Sequence, residues 1–249
     1  MDAIFQQIEM WYKKPFGSVL DAGTGENSLK WLFSIPTHSI TAVTGDPYRK
    51  NGLKFSFSQK LRPQDKIVHG NWNDENFLKT ETFDIVIADY LLGAIDGFSP
   101  YFQDHLFGRL KHHMKEKLYI VGLEPYPDIA HTEGGKLILE LARLRDACIL
   151  LAKHRCYREY PMKWVEKNLH MHSLVVTKSQ TFPIRYTADF VHGQLDVCRG
   201  KLHFLPPSLL REGLKEEIAQ LENRIYQYLK TNHNIPFGFD YLIEVEHVR

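Results

Sequence analysis

The sequence predicts a doubly wound α/β fold, and three observations carry that expectation. Five short aliphatic runs, at residues 17–22 (GSVLDA), 39–43 (SITAV), 66–69 (KIVH), 83–88 (FDIVIA) and 118–123 (LYIVGL), are apolar on successive residues. Strands of a parallel sheet read this way when both faces are covered. Helix-length segments separate these runs, as strand–helix alternation requires. A closing run, FGFDYLIEVEHV, alternates and reads as a final strand.

In chain order, Ile4, Phe5, Ile8, Trp11 and Tyr12 recur at helical spacing before Pro15 ends the pattern. This predicts a leading helix packed on the sheet, a position from which it can also serve a substrate lid. Ser99-Pro100 reads as a cap followed by proline at the first helical position. Phe102, Leu106 and Leu110 then give that helix one buried face. Residues 136–152 form a second long helix with Leu137, Leu141, Leu144, Cys148 and Leu151 on one stripe. A compact polar-aromatic run, HRCYREYPMKW, follows it, and residues 172–177 (HSLVVT) read as a strand. After Pro206-Pro207 the apolar period is clearest, through Leu210, Leu214, Ile218, Leu221, Ile225 and Leu229. Lys215, Glu216, Glu222 and Arg224 give that helix a solvated face. The chain holds no internal repeat and no low-complexity tract.

The 249 residues include 31 basic and 30 acidic side chains, for a formal net charge of +1. A protein that lives on phosphate backbones usually carries a basic surplus, so nucleic acid is disfavoured as a partner. A local basic patch can still hide inside a neutral total. No apolar run approaches the roughly 20 residues a membrane-spanning helix needs, so no membrane partner is expected. The first residues, MDAIFQQIEMWYKK, lack a signal-peptide layout. Cys148, Cys156 and Cys198 form no CxxC pair and read as reduced thiols of a cytoplasmic protein. None of the 13 histidines has the spacing of a zinc motif, so no metal is expected.

The chemistry concentrates in residues 18–28, SVLDAGTGENS. A buried strand ends in Asp21, Gly23 and Gly25 sit two apart, and a helix begins near Glu26. Such a turn lets a ligand approach the backbone, while the helix start offers free N–H groups. Nicotinamide and flavin binders use G-x-G-x-x-G here, with a pyrophosphate over the helix start. Ser28 stands at the last position of that fingerprint, and Asp21 would face the doubly charged pyrophosphate. An acid followed by G-x-G instead resembles motif I of the class I, Rossmann-like S-adenosylmethionine (SAM)-dependent methyltransferases. Their cofactor lacks phosphate and carries sulfonium and ammonium cations, which suits a carboxylate. The family's usual third glycine is Asn27 here.

That resemblance implies a mostly parallel seven-stranded sheet with an antiparallel last strand and extra helices between the last two strands. It implies a single domain over 1–249, with 126–171 as an acceptor-side cap and 187–234 as a helical insertion. SAM is the implied cofactor, held by Asp21, Gly23, Thr24, Gly25 and Glu26. Asp46 is the expected ribose partner, with Thr44 as the alternative in strict register. Asn71 would accept from the adenine amino group, and Trp72 would either stack on the ring or sit in the core. Asp89 and Tyr90 match motif IV at the methyl-transfer end of the sheet, where Asp89 would also meet the cofactor. Glu124, after the fifth strand, joins Asp89 and Tyr90 as a catalytic candidate. Tyr126, Arg155, Tyr157, Arg158 and Tyr160 are the candidate acceptor pocket. The competing reading pairs the arginines with Glu159 or Asp146 and lets the tyrosines cover a helix end.

Exclusion narrows the acceptor. DNA base N-methyltransferases show Asn/Asp-Pro-Pro-Tyr at motif IV, whereas this chain has Asp89-Tyr90-Leu91-Leu92. Cytosine-C5 enzymes need a nucleophilic cysteine in a Pro-Cys setting, which none of the three cysteines has. The resulting expectation is methylation of a small molecule on O, N or S by in-line displacement. The alternatives are an RNA or protein methyltransferase, a catalytically silent SAM-fold interaction protein, and a nicotinamide-dependent oxidoreductase. Residues 187–207, with the helix after them, could cover the sheet, form a lid, or make a homodimer surface.

Overall fold

The computed structural model describes residues Asp2–Val248. Its elements follow one another as α1 (Ala3–Trp11), β1 (Ser18–Asp21), α2 (Glu26–Leu32), β2 (Ser39–Thr44), α3 (Pro47–Ser56), β3 (Lys66–His69), β4 (Phe83–Asp89), α4 (Leu91–Ile95), α5 (Gln103–Lys111) and β5 (Met114–Leu123). Beyond these come α6 (Glu133–Leu151), α7 (Met162–Met171), β6 (Leu174–Tyr186), α8 (Ala188–Leu202), α9 (Leu209–Asn232) and β7 (Ile235–His247). Among the described residues the strands form one seven-stranded sheet in the order β3-β2-β1-β4-β5-β7-β6. β1 pairs in parallel with β2 and β4, β3 with β2, and β5 with β4, while β7 runs antiparallel to β5. This is the expected mostly parallel sheet with its antiparallel last strand.

The chain divides into two compact units. The first comprises residues 1–124, 157–182 and 240–249. Its strand residues alternate between two cores, which is why the strands read as unbroken apolar runs. Leu20, Val86, Leu118 and Ile120 pack with Leu91, Leu106, Leu110, Val165 and Leu169 from α4, α5 and α7. Val19, Ile85, Ile87, Tyr119 and Val121 pack with Ile4, Ile8, Leu29, Leu32 and Leu53 from α1, α2 and α3. Each fully buried aliphatic side chain contributes about 1.5–3 kcal/mol.

The second unit comprises residues 125–156 and 183–239. There α6, α8 and α9 pack through Leu137, Leu141 and Cys148, through Val191, Leu195 and Cys198, and through Ile218, Leu221 and Ile225. All three cysteines are free thiols and buried. The segment 126–171, expected as one acceptor-side piece, is divided between the units, because α7 belongs with the sheet.

Three local expectations need correction. The helix expected from Ser99-Pro100 begins only at Gln103. Tyr101 adopts a left-handed φ of 66°, its N–H donates to Asp96 Oδ1 at 3.1 Å, and the Ser99 hydroxyl donates to Asn71 instead of capping. The strand expected at 172–177 extends to Tyr186. Residues inside HRCYREYPMKW open α7, whose buried Val165 and Leu169 lie one turn apart.

A buried ionic cluster ties the far strands of the sheet together. Glu244 on β7, its side chain 1% exposed, pairs with Lys117 of β5 at 2.8 Å. It also accepts from Tyr119 Oη at 2.8 Å and from Thr177 Oγ1 of β6 at 2.7 Å. Burial alone would raise this carboxyl, but Lys117, Thr177 and Tyr119 reverse the effect and hold it below its ordinary value. Glu244→Ala is expected to cost about 3 kcal/mol, because Lys117 and Tyr119 lose a buried partner. Urea unfolding measures this, and a loss below about 1 kcal/mol would contradict it. Because the folded value is depressed, the contribution is full above the unfolded pKa and fades as pH falls through the folded one. Glu244→Gln should flatten that acid-side loss.

Candidate active site

The first strand delivers its chain into a turn clamped on both sides. Ala22 N–H donates to Ile87 O and Thr24 N–H to Val43 O, both at 2.8 Å, so the turn is threaded between β4 and β2. A Cβ on Gly23 would sit 3.0 Å from Leu91, and one on Gly25 3.2 Å from Arg49 Nη2. Ser28 explains its own presence at a position where dinucleotide binders carry glycine. Its hydroxyl accepts from Gly25 N–H at 3.0 Å and donates to Asp21 Oδ2 at 2.7 Å. One of the N–H groups a pyrophosphate would use at the helix start is thereby engaged, and a carboxylate is fixed beneath it. This weighs against the nicotinamide alternative.

Beyond the turn lies a cavity of about 580 Å³, and all of its lining residues belong to the first unit. That size suits a nucleoside-sized ligand. Among the expected cofactor residues, Gly23, Thr24, Gly25, Glu26, Thr44, Asp46, Asn71, Trp72 and Asp89 all line it. Asp21 lies directly behind, fully buried, with Oδ1 making no hydrogen bond.

The electrostatics are those of a site short of positive charge. Burial pushes Asp21 up to about 6, opposed by neighbouring Thr24 and then by the Ser28 hydroxyl. Burial pushes Asp89 up to about 8, reinforced by the charges of Asp21, Asp2 and Asp240. Two carboxyls pushed above their ordinary values, Asp89 on the cavity wall and Asp21 behind it, favour a cationic occupant. Tyr90 follows in a left-handed conformation at φ 48°, a strained geometry for a non-glycine residue of the kind that clusters at functional sites. Its hydroxyl lies beside the Asp240 carboxyl of β7. Burial, then Asp240, holds the phenol far above its ordinary value, so it stays a donor.

On the opposite wall, Thr44 ends β2 and its Oγ1 accepts from Asp46 N–H at 3.2 Å. Asp46 caps α3 through Oδ1, accepting from Tyr48 N–H at 2.8 Å, while Oδ2 makes no hydrogen bond. Asn71 differs from its expected part. Its Oδ1 already accepts from Ser99 Oγ at 2.6 Å and from Asn73 N–H at 3.0 Å. Its Nδ2 donates to Phe98 O at 3.2 Å, so this side chain fixes the 98–99 loop. Trp72 is buried to 2% exposure, and its Nε1 donates to Ala22 O at 2.7 Å, which supports the glycine turn from the core side. The exposed aromatic on this wall is Phe98, whose ring would lie 2.8 Å from any Cβ on Gly45.

The expected acceptor residues are divided between the two units. Tyr157 lines the cavity; Arg158 N–H donates to Gly93 O at 3.1 Å and so pins this segment on α4. Tyr160 packs against Trp164 in a tilted pair with ring centroids 4.0 Å apart. Tyr126 and Arg155 belong to the second unit, where Tyr126 packs against Phe237 and bonds to the Tyr186 hydroxyl. Glu124, expected among the catalytic groups, accepts from Met162 N–H at 2.9 Å. It caps α7, whose N-cap residue Pro161 offers no side-chain acceptor. The sequence assigned no site role to Asp2, Arg49, Phe98 and Asp240, while Ile4 and Phe5 belong to the leading helix expected to pack on the sheet and able to serve a lid. Only the glycines around Phe98 and the apolar opening of the chain signalled any of them.

No family model matches this sequence, and no curated protein matches it. Solved structures do. A structure described as a candidate methyltransferase from Bacillus halodurans C-125 is 14% identical, with a TM-score of 0.63 and 99% of each chain covered. The cyclopropane synthase MmaA2 of Mycobacterium tuberculosis is 14% identical, with a TM-score of 0.59 over 97% of this chain and 83% of that one. The mycolic acid cyclopropane synthase CmaA1, solved in complex with SAH and CTAB, is 13% identical, with a TM-score of 0.58 over the same shares, 97% and 83%. At such identities the likeness speaks to fold. The chain has the class I, Rossmann-like fold of SAM-dependent methyltransferases.

Asp89 gives a stability test of the site's charge balance. Its folded value of about 8 stands above the ordinary 3.8, so ionising it opposes folding. The penalty is absent below about pH 4 and grows until about pH 8. Asp89→Asn should therefore match the parent's melting temperature near pH 3 and exceed it increasingly toward pH 8. Equal melting temperatures across that range would contradict the assignment.

Proposed function

We propose that this protein is a SAM-dependent methyltransferase acting on a small-molecule acceptor at O, N or S. The observation that carries the reading is the pairing of Asp21 and Asp89 at a glycine-lined cavity, two carboxyls pushed up to about 6 and about 8. The residues present fit the cofactor. Gly23 and Gly25 leave backbone open where side chains would collide, Asp46 keeps Oδ2 for a ribose hydroxyl, and Phe98 offers a ring face. When bound, SAM supplies an electrophilic methyl group carried on a sulfonium.

The chain's own part is alignment, charge compensation and exclusion of water. Ile4, Phe5, Leu91 and Phe98 give the cavity apolar walls. Holding an acceptor in line is worth roughly 7–11 kcal/mol of barrier, so a base is required only for an acceptor that arrives protonated. Asp89, with its raised value, is matched to accept such a proton near neutral pH. Tyr90, kept protonated beside Asp240, has one O–H to give, and an acceptor would take it in place of Asp240. Tyr157 supplies an aromatic wall. The absence of a Pro-Pro step after Asp89 and the near-neutral total charge support a small acceptor over a nucleic-acid base.

Calorimetry with SAM and with its demethylated product tests the reading. Binding should strengthen as pH rises from about 6 to about 8, because the cation favours the ionised carboxyls. Asp89→Ala should weaken SAM binding at least tenfold, or roughly 1.4 kcal/mol. No binding of either molecule would defeat the enzyme reading and leave the silent-fold alternative.

A further inference from the structure

The wall of the cofactor cavity is lopsided in charge. Asp2, Glu26, Asp46 and Asp89 line it, Asp21 lies behind it, and Arg49 is the one basic side chain among the described residues that line it. SAM suits the acids with its sulfonium and its ammonium. Its third charge is a carboxylate, which would stand unanswered among them unless a cation meets it.

Arg49 is placed to do so. It lies in the first turn of α3, one turn before Leu53, whose buried side chain turns that face toward the protein. The residue is exposed as a whole, and its head stands at the rim of the cavity, 3.2 Å from where a Cβ on Gly25 would lie. From there its charge acts on Asp21 and favours the ionised form. Its backbone N–H donates to Asp46 Oδ1 at 3.3 Å, while its guanidinium makes no ion pair or hydrogen bond among the described residues. Arg62, Arg145, Arg199 and Arg224, by contrast, each hold a carboxylate.

The glycine turn offers a carboxylate little else. The Gly25 N–H is taken by the Ser28 hydroxyl at 3.0 Å. Glu26 stands in the first turn of α2 and sets a negative charge where a helix start would otherwise welcome an anion. With no side chain on Gly25, a ligand lying on the turn meets the guanidinium directly. The guanidinium fork matches a carboxylate through two parallel N–H···O bonds, which a single hydroxyl cannot accept.

We propose that the Arg49 guanidinium binds the carboxylate of SAM and makes the site select adenosyl sulfoniums that carry one. The inference rests on the methyltransferase reading and adds to it the group that tells SAM from its decarboxylated form. Both forms are cations overall, so loss of a nearby positive charge by itself favours the binding of each. Only loss of a direct contact weakens SAM.

Calorimetry with SAM, with its demethylated product and with decarboxylated SAM provides the test. In Arg49→Ala, SAM and the product should bind roughly tenfold or more weakly, as expected for a lost hydrogen bond between charged groups. Decarboxylated SAM should bind at least as tightly as it does to the parent. Arg49→Lys should recover part of the loss, because it keeps the charge without the planar fork. An unchanged melting temperature shows that both variants keep the fold. Parental affinity for SAM in folded Arg49→Ala would overturn the inference, as would equal weakening of SAM and decarboxylated SAM, and either result leaves the methyltransferase reading standing. Failure of the parent to bind any of the three would overturn both.

Discussion

Two carboxyls at neighbouring strand ends are both pushed up by burial, Asp89 further by the charge of Asp21, and much of the first unit is arranged around that conflict. Asp21 ends β1 and Asp89 ends β4, strands paired in parallel with Asp21 opposite Ile87. Register therefore forces the two acids onto the same edge of the sheet. Nothing basic in the cavity answers them except Arg49, which stands on the far side of Gly25. The cost of holding this arrangement is carried by the cores on both faces of the sheet, and the benefit is a site with a built-in preference for positive charge.

The glycine turn translates that preference into shape. Its backbone is held by β2 and β4, its two glycines keep side chains away from Leu91 and Arg49, and Ser28 locks the acid's second oxygen. The same hydroxyl occupies a helix-start N–H that a pyrophosphate would need. A single hydroxyl thus weighs against one of two cofactor classes that use this turn. Tyr90 and Asp240 extend the polar edge toward the acceptor side, and Asp240 reaches it only because β7 runs antiparallel beside β5.

How much of this was legible in the sequence depended on how local each signal was. The strands were legible because burial on both faces leaves them continuously apolar, and the glycine turn because its chemistry lies within eleven consecutive residues. Asp46, Asp89 and Tyr90 followed from strand ends. The acceptor cluster was less legible, because Arg155 and Tyr157 are neighbours in sequence yet fall in different units. Glu124 looked catalytic by position, but Pro161 leaves the start of α7 without a cap and the carboxylate fills that need. Asn71 and Trp72 stood at the right strand end with their polar groups already engaged. Phe98 and Asp240 arrive at the cavity through tertiary contacts, which no spacing rule could anticipate.

The central claim is that the cavity's occupant must be a cation that completes the ionisation of Asp89. Calorimetric titration of SAM at pH 7 in buffers of differing ionisation enthalpy counts the protons exchanged on binding. With Asp89 at about 8 beforehand, release approaching one proton is predicted, lost in Asp89→Asn. Binding without proton release, or with uptake, would contradict the account.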